Sequence, residues 1–153
     1  MMRPVAALVV LCTAMLGGCH YARGIGYADT IPPGRPPFAA GTPEGYWIWQ
    51  DPQGWHLRTT SDTPRHFRGV IEAIGGTPSA IHALGGAEGA VHRDGPNIEF
   101  EYDAAGGEQG FDWTSSSGCN RFDIYIDGTT RPMRVFLGWV EESPSRVPFA
   151  VCG

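Results

Sequence analysis

The 153-residue sequence carries a formal charge of −5, with 16 acidic against 11 basic residues, and 42% of it is hydrophobic. That balance speaks against charge-driven binding to nucleic acid or to an anionic lipid surface, and the length suits one ordinary domain with room for a real core. All eleven basic residues are arginine, so no lysine-rich tail or patch exists.

The chain opens with a leader. Arg3 supplies one positive charge, VAALVVLCTAML (5–16) is apolar except for Thr13, and Gly17-Gly18 precede Cys19. A charged start, an apolar stretch of about 7–15 residues and a small-residue cleavage site make a secretory signal. A bilayer span needs about 20 apolar residues, so the run is too short for one. The stretch Leu16-Gly17-Gly18-Cys19 resembles the lipobox of bacterial lipoproteins: an aliphatic residue, two small ones, then cysteine. The resemblance covers the first 19 residues alone. It implies a diacylglyceryl group on the Cys19 sulfur, cleavage after Gly18 and acylation of the new amine. One acyl chain holds a protein marginally and two hold it durably, at about 0.8 kcal/mol per buried CH₂. The same resemblance implies a bacterial envelope location with the membrane as partner. With His20 where inner-membrane lipoproteins of Gram-negative cells tend to carry aspartate, it implies the outer membrane.

Losing residues 1–18 removes Arg3 and Cys12 and makes the mature chain more acidic. Cys119 and Cys152 then remain as an even pair in a disulfide-permissive compartment, and a bond between them is expected. Two buried thiols are the alternative. Neither cysteine has the neighbouring ligands that zinc requires.

Residues 19–44 form the expected lipidated N-terminus and tether, since 20–43 show no period and contain five prolines. A domain over 45–153 follows. YWIWQ, WHLRTT and RHFRGVIEAI read as three strands of a meander, joined by the turns DPQG and SDTP. GGTPSAIHALGGAEG (75–89) breaks the pattern and reads as a loop, with one helical turn as an option. NIEFEYD alternates, with Ile98, Phe100 and Tyr102 on one face and Glu99, Glu101 and Asp103 on the other. FDWTSS and RFDIYID follow, the latter with Phe122, Ile124 and Ile126 inward. MRVFLGWV places Val135, Leu137 and Trp139 on one face, and a proline-broken tail ends at Cys152. About eight short strands without a useful helix point to an all-β fold, an antiparallel β-sandwich of jelly-roll type, with a small closed barrel as the alternative.

The densest chemical feature is Trp47, Trp49 and Trp55 with His56 and Arg58. Trp47 and Trp49, two apart on a strand, share a face that could stack a sugar ring while His56 and Arg58 bond its hydroxyls. The same rings could simply fill a core. His56 and His66, on strands joined by a tight turn, would come near each other, but a metal needs a third ligand and none is placed. Glu99, Glu101, Asp103, Glu108 and Asp112 match no calcium loop, and a solvated strand face accounts for them; the enzymatic alternative is a carbohydrate-active pair of acids. No catalytic residue, metal or cofactor is assigned. The expected function is a membrane-anchored envelope lipoprotein with a non-catalytic β domain, binding a glycan or envelope protein or serving structure.

Overall fold

The computed structural model describes residues 27–28, 31, 34–36, 38, 41–104, 106–130, 132–142 and 149–153. Cys19 and the expected leader lie outside the described residues. Among the described residues twelve strands form: β1 (Tyr27–Ala28), β2 (Gly45–Asp51), β3 (Gly54–Thr60), β4 (Arg65–Ala73), β5 (Pro78–Leu84), β6 (Val91–Asp94), β7 (Asn97–Ala104), β8 (Gln109–Ser115), β9 (Cys119–Asp127), β10 (Val135–Leu137), β11 (Val140–Glu142) and β12 (Phe149–Cys152). They make two six-stranded sheets that do not close into a barrel. Sheet I runs β1-β12-β9-β4-β7-β6 and sheet II runs β11-β10-β2-β3-β8-β5. The expected β-sandwich is the fold observed.

The core lies between the sheets and follows from alternation. Ile98, Phe100 and Tyr102 are buried while Glu99, Glu101 and Asp103 are exposed, so β7 puts its apolar set inward and its acids in water. Phe67, Ile71, Phe122 and Ile124 come inward from β4 and β9; Tyr46, Ile48, Trp55, Leu57, Phe111 and Trp113 meet them from sheet II. The layers interlock through rings: Tyr46 on Phe67 at 5.3 Å, Phe100 on Phe111 at 5.2 Å and Trp113 on Phe122 at 6.3 Å between centroids. Edge-to-face and offset ring pairs of this kind add about 0.5–1.5 kcal/mol each beyond their buried area.

Several expectations are corrected. The first three strands are not a meander. β2 and β3 form a hairpin, but the SDTP turn carries the chain across to sheet I, where β4 pairs with β7 and β9. Residues 78–84 are a strand and not a loop: β5 pairs with β8 through a register shift between Ser79 and His82, beside Ala80 at φ 49°. That irregularity hid the alternation, yet Ile81 and Ala83 still pack against the core. MRVFLGWV is two strands, because Gly138 at φ 60° turns the chain after Leu137. Trp139 is therefore 59% exposed and does not share the buried face of Val135 and Leu137. Two pairings are parallel, β1 with β12 and β10 with β2; both join segments distant in sequence. The tail residues Phe149–Cys152 form β12, antiparallel to β9.

Packing also extends upstream of residue 45. Tyr27–Ala28 pair with β12, Ile31 and Pro36 are buried, and Phe38 packs on Trp47 and Trp49. In a stretch read from the sequence as a tether, Phe38 thus lies as a strap against two rings of β2, and Arg35 beside it reaches Glu108.

Cys119 and Cys152 are bonded, as expected, and stand opposite each other in the β9–β12 register with Cα atoms 4.1 Å apart.

Candidate functional site

The five residues singled out on β2 and β3 divide between the two faces of sheet II. Trp55 faces the core and stacks on Trp113 at 6.0 Å. Trp47, Trp49, His56 and Arg58 face outward, because Trp47 opposes Arg58 and Trp49 opposes His56 across the hairpin. Trp47 and Trp49 do share a face. All five are nonetheless buried, Trp55 in the core and Trp47 and Trp49 beneath a strap: the Phe38 ring lies 5.4 Å from Trp47 and 5.9 Å from Trp49. A sugar ring could stack there after the strap had moved, and not before.

Under and beside the strap an ionic chain crosses the sheet. His56 Nδ1 lies 2.7 Å from Asp112 Oδ1, and its Nε2 is 2.9 Å from Asp51 Oδ1, at ion-pair distance though not aligned as a hydrogen bond. Arg58, 4% exposed, donates from Nε to Glu108 at 3.0 Å, meets Asp112 at 2.6 Å, and donates to the Leu57 and Phe111 carbonyls. Glu108 also receives Arg35 from the strap. The Arg58 guanidinium sits 5.3 Å from the Trp49 ring, which stacks on His56 at 4.7 Å. Burial works to raise the Asp51 carboxyl, but the neighbouring His56 and the Gln53 and Gly54 backbone outweigh it and hold the pKa below the usual value. Each charged group is matched, as buried charge requires. Both His56 ring nitrogens face carboxylates, which ties the ring to Asp112 on β8 and to Asp51 on β2.

His56 and His66 do not approach each other. His66 faces outward from sheet I, on the opposite side of the sandwich, because the turn between β3 and β4 changes sheets. Its Nδ1 lies 2.9 Å from Asp103 and its Nε2 3.0 Å from Glu101. It belongs to cross-strand rows over β7, β4 and β9: Asp103–His66–Asp127, then Glu101–Arg68–Tyr125, then Glu99–Val70–Asp123. Arg68 pairs with Asp127 at 2.9 Å and lies 4.7 Å from the Tyr125 ring. Apart from Asp127, these residues line an open hollow of about 780 Å³. The acids of β7 thus stand on a solvated face, while Glu108 and Asp112 serve sheet II. Among the described residues no group of three or more His, Cys, Asp or Glu side chains is arranged to hold a metal ion.

The acids beside it, Asp103 foremost through its hydrogen bond, raise the His66 pKa above 6.5 against the opposing effect of burial. A raised folded value means that the contact stabilises the fold fully below the unfolded pKa and is lost as pH rises through the folded one. An NMR titration of the His66 ring is expected to give a midpoint above 6.5 that falls in Asp103→Asn. A wild-type midpoint at or below 6.5 would remove the contact from solution.

Sequence reasoning missed Phe38, Phe136 and Asp51. Phe136 stacks on Trp47 at 4.0 Å through the parallel β10–β2 pairing, which no local pattern announces. Phe38 could have been noticed as a large ring inside a supposed tether. No protein-family model, curated protein or solved structure matches the chain.

Proposed function

We propose that the protein is a bacterial envelope lipoprotein, held to the membrane by lipid on Cys19, whose β-sandwich binds or supports another envelope component without catalysis. The observation that carries this reading is the Leu16-Gly17-Gly18-Cys19 sequence behind a short apolar run. The Cys119–Cys152 bond supports it, since such bonds persist in oxidising compartments outside the cytoplasm. The destination is the outer membrane rather than the inner. A glycan or an envelope protein is the class of ligand, and Trp47, Trp49, His56 and Arg58 are the residues that would meet it if the strap were displaced.

Mass spectrometry of the protein extracted from membranes tests the reading. The expected mass begins at Cys19, carries a triacyl-type adduct and is two hydrogens short because of the disulfide. Cys19→Ala should yield a soluble or unprocessed chain. A processed, lipid-free wild-type protein in the soluble fraction would sink the anchor.

A further inference from the structure

Four of the five tryptophans are shut away, Trp47 at 7%, Trp49 at 2% and Trp55 and Trp113 at 1% exposure, whereas Trp139 stands 59% exposed. Leu137 pairs with Val140, so Gly138 and Trp139 make a two-residue turn at the tip of the β10–β11 hairpin. Gly138 at φ 60° supplies the bend that such a turn requires, and the turn itself has no use for a large ring at the next position. Val140 beside it is 45% exposed. An indole has an apolar body and one N–H donor, which suits the boundary between hydrocarbon and water. The place of the hairpin in the fold points the same way. β6 and β5 are edges of their sheets and lie together, since Arg93 on β6 donates to the Pro78 carbonyl on β5 at 3.3 Å. Tyr46 on β2 donates to the Tyr125 carbonyl on β9 at 2.6 Å, and each of these strands is third from the opposite edge of its sheet. Those opposite edges, β1 and β11, therefore share one flank. The chain reaches that flank from Cys19, because Tyr27 is eight positions later. An extended chain spans at most about 3.6 Å per residue, so lipid on Cys19 would hold β1 within about 30 Å of a bilayer surface.

We propose that the flank of β1 and β11 is the side the domain turns to the membrane, and that Trp139, with Val140 beside it, seats its ring in the headgroup region of a lipid bilayer. This rests on the lipid at Cys19 proposed above, which brings the domain to the surface and leaves the hairpin only to orient it. One ring and one valine would not recruit a free protein, but on a tethered domain the second contact is intramolecular and a weak one suffices. The charges choose the lipid. Glu141 is met by Arg134 at 3.1 Å, but Glu142 is exposed and the chain as a whole is acidic, so an anionic surface would repel this flank. A zwitterionic headgroup fits it. The seated hairpin fixes which face of the sandwich looks away from the membrane: the opposite flank, where β5 and β6 meet.

The test attaches the chain to a membrane by hand. In a protein beginning at Cys19, with Cys119 and Cys152 bonded, Cys19 is the one free thiol. It is coupled to phosphatidylcholine vesicles carrying a small fraction of a maleimide-bearing phospholipid, and the same chain free in solution is the reference. Trp139 is the exposed indole, so iodide quenching of tryptophan emission reports on it. Coupling should cut that quenching severalfold and shift the emission to the blue, and phosphatidylcholine brominated on its acyl chains should quench the coupled protein. All three changes should vanish in Trp139→Ala, which removes an exposed side chain and should fold as the wild type does. A coupled wild type as open to iodide as the free chain overturns the proposal. So does protection from iodide without quenching by the brominated lipid, or protection that survives Trp139→Ala, since another surface would then face the bilayer. Because the maleimide supplies the attachment, this result is independent of whether mass spectrometry finds lipid on Cys19.

Discussion

Replacing Cys152 with alanine is expected to destabilise the protein by about 3–4 kcal/mol, the loop-closure entropy that a cross-link over 33 residues removes from the unfolded chain. For a domain of this size that lowers the melting temperature by on the order of 10 °C. The position of the bond adds a local effect. Cys152 closes β12, which lies between β9 and β1, so Phe149 and Val151 are pressed into the core from a strand of only four residues. Without the cross-link β12 is the first element expected to fray, and hydrogen exchange should speed at Ala150 and Val151 before it does in β4. Calorimetry of Cys152→Ala and of the reduced wild type should agree. An unmoved melting curve in both would show that the bond carries no structural load.

Arg58→Ala is the second large effect, about 3 kcal/mol or more. Breaking a fully buried ion pair by removing one partner costs about 3–5 kcal/mol, because the other charge is left without compensation. The lower end applies here, since the Glu108 and Asp112 side chains keep 27% and 29% of their exposure and can hydrate. The loss also strips the carbonyls of Leu57 and Phe111 of a donor and one face of Trp49 of its cation. Lysine should not restore the stability, because a point charge cannot serve two acids and two carbonyls as the planar fork does. Asp112→Asn should cost less in the Arg58→Ala background than alone, which urea melts of the four proteins would read as coupling. Strictly additive losses would mean that the ionic chain is decorative.

How far the fold could be read in advance depended on the length of each alternation. β7 and β9 carry long, regular patterns, and their inward residues were legible one by one. β5 was not, because a register shift at Ser79–His82 breaks a period of two in a seven-residue strand. The disulfide was legible from cysteine arithmetic once Cys12 and Cys19 were assigned to other fates. The aromatic cluster was legible as a cluster, and its burial was one of the two readings the residues allowed, but what encloses it was not. Its cover comes from Phe38 and its flank from Phe136 on β10, and both meet β2 only in three dimensions. The partnership of His56 with Asp112 has the same origin: the β3–β8 register joins residues far apart in sequence, which spacing along the chain does not reveal.

The pairing of β1 with β12 has a consequence for the order of assembly. A chain is made from its amino end, so Tyr27–Ala28 exist long before the strand they border. Contacts between such distant segments form late, after the loop they close has been collapsed by nearer ones. The β2–β3 and β6–β7 hairpins can form as soon as they are made, whereas one edge of sheet I waits for β12. Throughout that interval β1 and the edge of β9 lack their neighbour and stand as unpaired strand edges.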